Sequence, residues 1–251
     1  MFAAGVAAAG PGGRSGRILQ LIGVDALRLR PARFDGGVLL VDPADAGHLC
    51  VAEEFALPPV ACDLSRVSFT PDTVIDCGAH IGAFTVLARR RYPRAAITAY
   101  EPNPANVRWL ERNVHAAGGE TVTIVAAAAS VSNGRAEFSQ VAGHSESGRL
   151  GGVVHGTPAY DVDVVDLPAV LRRAAPSSLL LKIDIEGEEE RLVPALIGVL
   201  PARSAIFFET HGGERAWTAV SSALAGAGFR VERLNARGAF SDGFATRGGE
   251  E

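Results

Sequence analysis

The sequence predicts an α/β protein with a doubly wound, mainly parallel, Rossmann-like sheet, and three observations favour this class. Short β-rich runs alternate with helical stretches from residue 72 onward. The predicted strands are continuously apolar, as expected for strands that helices cover on both faces. Polar or glycine-containing segments follow several of these strands, at the edge where such sheets bind ligands. A small N-terminal cap is predicted to precede the sheet.

Length and composition set the limits of the interpretation. The 251 residues are 47% hydrophobic and 21% charged, which suits one domain with a modest N-terminal attachment. A net charge of −4 without a basic block argues against nucleic acid as a partner. The apolar runs are too short for a membrane span of about 20 residues. Three cysteines without a C-x-x-C pair favour a reducing compartment, so we expect a cytoplasmic protein.

The N-terminal quarter of the chain differs from the rest. Residues 1–17 are rich in alanine and glycine without apolar periodicity, and we expect a flexible tail. Residues 18–68 contain short apolar runs broken by turn signals such as Asp42-Pro43. This pattern predicts the strands and loops of a small cap. Residues 69–251 are predicted to form the main domain.

The elements of the main domain follow in order. Strands are predicted at Thr73–Asp76, Ile97–Tyr100, Val122–Val125, Leu179–Ile183 and Ala205–Phe208. Helices are predicted at Ala83–Arg91, Pro104–Ala117, Glu188–Leu200 and Glu214–Ala227. The second helix is marked most clearly, because Asn103 can cap its start and Gly118 can end it. A Gly/Ser-rich stretch, Val141–Pro158, is predicted to be a mobile loop over the site.

A glycine turn follows the first predicted strand. Asp76 ends the strand, and Gly78 and Gly82 precede a helix, so the backbone can approach a ligand closely. The dinucleotide fingerprint requires glycine at positions 80 and 83, where this chain has His80 and Ala83. An acid at the strand end disfavours a pyrophosphate and suits a cationic or hydroxyl-bearing ligand. A purely structural strand-to-helix turn is the alternative.

Glu101 ends the second predicted strand, 25 positions after Asp76. An acid at this place in a doubly wound sheet commonly accepts hydrogen bonds from two ribose hydroxyls. The prolines at positions 102 and 104 fix the turn that directs the carboxylate. Its position after the glycine turn makes Glu101 a candidate ribose ligand.

Two further strand ends carry charged side chains. Lys182, the only lysine in the chain, alternates with Asp184 and Glu186, so the three point the same way while the strand lasts. Three charges on an apolar strand are costly unless its end opens into a site. A salt-bridged, exposed strand end is the alternative. Glu209 and His211 follow the next strand, and His211 is a candidate general base.

Together these motifs resemble the FkbM-type, S-adenosylmethionine-dependent methyltransferases. The resemblance runs from about residue 72 to residue 234 and rests on VIDCGAHIGAFT, YEPNPANVRWLERNV, AAAASVSNGRAEF, LLLKIDIEGEEERL and IFFETH, in the family's order. It implies a class I methyltransferase domain over residues 69–251, with the segment around Ala128 beside the adenine of the cofactor. Where family members often carry an acid after the adenine-side strand, this chain has Val131. The implied cofactor-binding set is Asp76, Gly78, Ala79, His80, Gly82, Glu101, Pro102, Asn103 and Ala128.

The expected reaction is O-methylation of a small-molecule hydroxyl on a sugar or secondary metabolite, with N-methylation left open. His211 is predicted as the base, Asp184 or Glu186 as the group that orients the acceptor, and Lys182 as the residue that tunes those carboxylates. Asp184, Glu186 and His211 could also hold a divalent cation, although no metal is favoured.

Two alternatives come from other classes of function. A nicotinamide-dependent oxidoreductase shares this type of sheet, but the missing glycines at positions 80 and 83 argue against it. A catalytically inactive cofactor-binding module would be expected to lose the acidic strand end, which is intact at residues 182–187.

Overall fold

The computed structural model describes residues 30–34, 37–56, 62–141, 144–151 and 159–248. The predicted tail at residues 1–17 lies outside the described residues. The strands are β1 (Arg30–Phe34), β2 (Gly37–Val41), β3 (Thr73–Cys77), β4 (Ala96–Tyr100), β5 (Thr123–Val125), β6 (Ala128–Ser130), β7 (Gly134–Val141), β8 (His144–Leu150), β9 (Ala159–Asp166), β10 (Ser178–Ile183), β11 (Arg203–His211), β12 (Arg230–Arg237) and β13 (Phe240–Arg247). The α-helices are α1 (Ala46–Ala56), α2 (Ala83–Arg91), α3 (Pro104–Ala116), α4 (Leu167–Ala174), α5 (Glu189–Leu196) and α6 (Gly213–Gly226).

A central sheet of seven strands organises the molecule, in the order β12-β13-β11-β10-β3-β4-β5. The five strands from β11 to β5 are parallel, and β13 is antiparallel to both of its neighbours. The chain builds outward from β3 to β5 and then restarts on the other side with β10 and β11. The strand order therefore reverses between β3 and β10, where doubly wound sheets open a ligand crevice. The predicted fold class is confirmed.

The predicted elements of the main domain are all present, with small shifts of their ends. The largest extension is in β11, which continues to His211, so Glu209 and His211 lie within the strand and not after it. The helix predicted from residue 188 to residue 200 is α-helical only to Leu196, after which a 3-10 turn occupies residues 197–199. The hairpin of β12 and β13 was not predicted.

Successive side chains of each strand point to opposite faces of the sheet, so the strands contribute to two separate core layers. Leu179, Leu181 and Ile183 of β10 pack with Leu171 of α4 and Leu192 of α5 on one face of the sheet. The side chains of the intervening positions point to the other face, which α2 covers. Residue 182 belongs to that second face. The strand end therefore delivers its lysine to the side of the sheet on which the glycine turn and α2 lie.

A second sheet, of order β6-β9-β7-β8, contradicts the prediction of a mobile loop at Val141–Pro158. Val141 ends β7, and residues 144–150 form β8, which pairs with β7; residues 152–158 lie outside the described residues. Gly148 has a packing role here, since a Cβ atom at this position would lie 2.1 Å from the Phe138 ring. The glycine that signalled a loop leaves room for an aromatic ring in a strand pair.

The described part of the N-terminal cap packs directly on the main domain. Leu39 and Val41 of β2 and Phe55 of α1 belong to the same core layer as α2. Asn113 of α3 accepts a hydrogen bond from the Leu40 N–H at 2.6 Å and donates to the Leu40 carbonyl at 3.0 Å. The cap was predicted as strands and loops, and α1 was missed. Its predicted boundary at residue 68 stays a prediction. In the described part of the chain, no helix combines the length and apolar character that crossing a membrane requires.

Candidate active site

The glycine turn lies against the end of the neighbouring strand. The N–H groups of Gly78 and Ala79 both donate to the Tyr100 carbonyl at 3.0 Å. Gly78 has a φ of +79°, and a Cβ atom there would lie 1.8 Å from the backbone oxygen of Asp184. Gly82, with a φ of +92°, precedes the first residue of α2. Gly78 is thus required for the close approach of the chain at residue 184, and not only for access by a ligand.

Glu101 is almost completely buried beside this turn, with 4% of its surface exposed. Its carboxylate accepts hydrogen bonds from the His80 N–H at 2.8 Å, the Asn103 N–H at 2.9 Å and the Asn106 amide at 3.4 Å. Burial raises the pKa of Glu101 to about 7, although these hydrogen bonds favour the charged form. Pro102 is half-buried between Glu101 and Asn103, and Asn103 caps α3. These hydrogen bonds fix the carboxylate, and the role predicted for the two prolines stays a prediction.

The predicted adenine-side segment begins next to Glu101. The Glu101 N–H donates to the Val125 carbonyl at 3.1 Å, which joins the end of β4 to the end of β5. Ala128 follows three residues later and is buried against Phe138 and Val162. Ala128 thus begins the second sheet, three residues after the strand end that is bonded to Glu101. Its contact with an adenine ring stays a prediction.

His80 is held in the glycine turn with a φ of +51°. Its ring lies 5.4 Å from the ring of His48 on α1, and the His48 ring lies 5.0 Å from Trp109 on α3. Burial and the neighbouring His48 lower the pKa of His80 to about 3. The side chain is therefore neutral, and it connects the cap to the glycine turn through aromatic packing.

Lys182 joins three segments at the reversal point. Its ammonium donates to the Gly78 carbonyl at 2.7 Å and lies 3.1 Å from Asp184 and 3.8 Å from Asp76. Burial by itself lowers the pKa of Lys182, but the charges of Asp184 and Asp76 outweigh it and raise the pKa. Asp76 is fully buried and accepts a hydrogen bond from the Thr85 hydroxyl at 2.5 Å. Asp76 thus contacts Thr85 and Lys182 of the protein itself. Its predicted contact with a cofactor stays a prediction.

His211 is surrounded by four carboxylates, and we call the five residues the His211 cluster. The Nε2 atom lies 3.4 Å from Glu186, 3.6 Å from Glu209 and 4.0 Å from Asp184. The Nδ1 atom lies 3.0 Å from Glu189. Only 3% of the His211 side chain is exposed. The structure thus brings the predicted catalytic residues together.

The charges of the His211 cluster shift the pKa values of its members. Burial alone lowers the pKa of His211, but hydrogen bonds to Glu186 and Glu189 raise it to about 11. Burial and Asp184 raise the pKa of Glu209 to about 8. Burial also raises the pKa of Glu186, whereas Lys182 and His211 hold the pKa of Asp184 below its usual value against burial. His211 is therefore an imidazolium at neutral pH in the protein alone.

The same side chains meet a geometric requirement of a metal site. One ligand atom each from Asp184, Glu186 and His211 lies within 4.8 Å of the other two. Two carboxylates and an imidazole suit magnesium or manganese. These three are the residues that the sequence indicated for a divalent cation.

Sequence reasoning missed three contributors to this region. Glu189 was treated as an ordinary residue at the start of a helix, yet it is among the most buried charged residues described. Glu54 of α1 comes from the cap, and desolvation and the charge of Asp184 raise its pKa. The ring of Phe240, at the start of β13, lies 5.2 Å from that of His211. The only signal for Glu189 was its place beside the acidic strand end, while the other two depend on tertiary packing.

Comparison with known proteins identifies the relatives of this chain. The model of the methyltransferase FkbM domain matches residues 76–231, more than half of the chain. Methyltransferase 1 of Beauveria bassiana (strain ARSEF 2860) is 42% identical over 41 residues, 16% of each chain. Methyltransferase sdnD of Sordaria araneosa is 38% identical over 52 residues, 21% of this chain and 20% of that one. These alignments span a fifth or less of the two relatives. A structure of methyltransferase FkbM from Methylobacillus flagellatus KT matches with a TM-score of 0.48 and 16% identity, covering 72% of this chain and 45% of that one.

Proposed function

The chain belongs to the FkbM methyltransferase family, and from this premise we propose that it transfers a methyl group from S-adenosylmethionine to a hydroxyl of a sugar or secondary metabolite. One observation carries the proposal. The buried acid Glu101, beside the glycine turn, and the carboxylates around His211 lie at the carboxyl ends of strands in one parallel sheet. The first arrangement suits binding of a nucleoside, and the second suits removal of a proton.

The residues present fit S-adenosylmethionine. The Glu101 carboxylate has room for two ribose hydroxyls, since its oxygens offer about four acceptor positions and, among the described residues, only the His80 and Asn103 N–H groups lie within 2.9 Å of them. The Asn106 amide is a weaker donor at 3.4 Å. The backbone of the glycine turn lies beside the Glu101 carboxylate, to which the His80 N–H donates. We assign the adenine to the small apolar side chain of Ala128. When bound, S-adenosylmethionine supplies an electrophilic methyl group on a sulfonium centre.

The protein must then align the acceptor and take its proton. We assign the alignment to Asp184 or Glu186, whose carboxylates are half-buried and face His211. Lys182 tunes this pair, because it holds Asp184 charged. We assign the proton to His211 Nε2. Nε2 can accept the acceptor's proton only after its own proton has passed to a neighbouring carboxylate. Glu186, at 3.4 Å, is the nearest carboxylate to Nε2 and is our assignment for this role.

Calorimetry with S-adenosylhomocysteine tests the cofactor half of the proposal. The parent protein should bind it, and Glu101→Ala should weaken binding by roughly 1.5–3 kcal/mol, because a charge-assisted acceptor for two hydroxyls is lost. Glu111→Ala, which removes an exposed carboxylate on α3, is the matched control and should bind as the parent does. A folded Glu101→Ala variant with parental affinity would show that the ribose assignment is wrong.

Transfer of a labelled methyl group tests the acceptor half. A panel of polyols, phenols and amines should yield O-methyl products, recognised by the NMR shift of the new methyl group. Products carrying the label only on nitrogen would contradict O-methylation while leaving the family assignment intact.

A further inference from the structure

Three consecutive glutamates at the start of α5 have different surroundings. Glu188 is half-buried and accepts hydrogen bonds from Ser130 and Arg191, both at 3.2 Å. The Glu190 carboxylate pairs with Arg215 at 2.8 and 2.9 Å in a contact that leaves Arg215 exposed. Glu189 between them is 1% exposed. A buried carboxylate costs free energy unless it is paired and hydrogen-bonded, so its contacts indicate why it is retained.

The Glu189 carboxylate accepts hydrogen bonds from two segments of the crevice. The Ile185 N–H donates to it at 3.1 Å, and the Gly187 N–H donates to both of its oxygens at 3.0 and 3.2 Å. From β11, the His211 ring reaches the same carboxylate through Nδ1 at 3.0 Å. One side chain therefore joins the turn after β10 to the end of β11.

The turn that Glu189 holds also contains Glu186, the carboxylate nearest to His211 Nε2. Glu186 lies between the two N–H donors and has a φ of +57°, a left-handed conformation that costs a non-glycine residue free energy unless the surroundings impose it. In this conformation its carboxylate lies 3.4 Å from His211 Nε2. The Glu189 carboxylate thus restrains both members of the Glu186–His211 contact, one through the backbone and one through the ring.

We propose that Glu189 is the positioning residue of the active site: it orients the His211 ring by accepting a hydrogen bond from the Nδ1 N–H, and it holds the turn that presents Glu186. The inference deepens the proposed function, since it rests on His211 as the group that handles the acceptor's proton. An imidazole whose Nδ1 proton is fixed by a carboxylate directs Nε2 to the reacting group, as in serine hydrolase triads. Here Nε2 is directed to Asp184, Glu186 and Glu209.

The three glutamates supply their own matched controls. We would prepare Glu188→Gln, Glu189→Gln and Glu190→Gln, label the six histidines with 15N and record ring N–H spectra by NMR. The His211 signals are assigned by their loss in His211→Gln. In the parent, the Nδ1 proton should resonate far downfield because it is bonded to a carboxylate. It should move upfield or vanish by exchange in Glu189→Gln and stay unchanged in the other two variants.

Two results would overturn the inference. A folded Glu189→Gln variant with parental His211 signals would leave Glu189 as a merely structural residue, and so would equal shifts in all three variants. If Glu189→Gln does not fold, Glu189→Asp keeps the charge and shortens the side chain, and unchanged His211 signals there would count equally against the inference.

Binding of S-adenosylhomocysteine distinguishes a failure of this inference from a failure of the proposed methyltransferase function. Calorimetry on Glu189→Gln should give a dissociation constant within about threefold of the parent, because Glu189 contacts the His211 side of the crevice and not Glu101. If the parent itself fails to bind, the proposed function fails, while the His211 signals still decide the role of Glu189.

Discussion

The two halves of the crevice hold their carboxylates in different ways. At the half to which we assign the cofactor (the cofactor half), two backbone N–H groups and one amide, all within 21 residues of Glu101, bind its carboxylate. At the half to which we assign the acceptor (the acceptor half), carboxylates from the turn after β10, from α5 and from β11 surround His211. The first half is made by local turns, and the second by side chains brought together through the sheet. Substitutions should therefore separate binding from chemistry, except where one residue supports both halves.

Gly78 is such a residue, and its replacement should have the largest effect. In Gly78→Ala the new Cβ atom would lie 1.8 Å from the Asp184 carbonyl oxygen, at a φ of +79° that disfavours alanine. Because backbone must move, we expect the free energy of unfolding to fall by about 3–5 kcal/mol. Denaturation with urea measures the loss. Gly198→Ala, where nothing lies within 4 Å of the added atom, is the control.

The close approach of residue 184 gives Gly78 a structural role beside the ligand-binding role that the sequence predicts. The sequence predicts a close approach of a ligand to the backbone at Gly78. The structure places the backbone of residue 184 where a Cβ atom of residue 78 would lie. A Gly78→Ala variant with parental stability and lost S-adenosylhomocysteine binding would restore the original interpretation.

The elements around the proposed cofactor half could be predicted because their determinants are contiguous in the sequence, and the strand and helix on either side of the glycine turn are present as predicted. Gly78 and Glu101 each lie in a motif of a few residues after an apolar strand, and the His80 N–H joins the two motifs by its hydrogen bond to the Glu101 carboxylate. Glu189 could not be identified in the same way. Its burial results from the packing of α5 against β11, and nothing in the sequence of three glutamates distinguishes the buried one.

The strands at residues 134–150 were missed for a related reason. Glycine and serine normally indicate loops, but Gly148 pairs with a strand that carries Phe138, and the ring fills the space above it. The antiparallel hairpin of β12 and β13 has a similarly weak signal, because an irregularity in strand pairing between Arg233 and Asn235 interrupts the alternation of polar and apolar residues in β12.

His211→Ala should separate the two halves most clearly. If His211 takes the acceptor's proton, turnover of the methylated acceptor should fall by roughly 10²–10⁴-fold, the usual effect of losing a positioned base. Affinity for S-adenosylhomocysteine should stay near that of the parent, since Glu101 and its hydrogen bonds are intact. The loss should shrink as the pH rises, because a more ionised acceptor needs less help in losing its proton.

His115→Ala is the control for the His211 variant, because His115 is exposed near the end of α3. Full turnover in His211→Ala would make His211 structural. Recovery of the variant on addition of magnesium or manganese would instead indicate that His211 acts with Asp184 and Glu186 as a metal ligand. Titration of the parent with Mn²⁺, followed by electron paramagnetic resonance, distinguishes these outcomes without an acceptor.

The smallest expected effect is a pH dependence confined to the cofactor half. Burial raises the pKa of Glu101 from its usual value of 4.5 to about 7, so in the free protein the carboxyl is protonated below that pH. Ribose hydroxyls bind best to the ionised carboxylate, and binding below pH 7 must therefore displace a proton. Affinity for S-adenosylhomocysteine should rise about tenfold per pH unit below 7 and level off above it, which corresponds to about 1.4 kcal/mol per unit.

The other titratable groups that face Glu101 do not contribute to this pH dependence. The pKa of His80 is lowered to about 3 by burial, and that of Tyr160 is raised to about 12 by burial and by the charge of Glu101, so neither titrates between pH 5 and 8. Lys182, whose pKa is raised by Asp184 and Asp76 in spite of burial, stays charged over the same range. We would measure the affinity for S-adenosylhomocysteine by calorimetry in roughly one-unit steps, at about pH 5.5, 6.5 and 7.5. The affinity should rise with pH in the parent and stay constant in Glu101→Gln. A flat profile in the parent would mean that Glu101 is already ionised in the free protein, and the hydrogen bonds from His80 and Asn103 would then outweigh its burial.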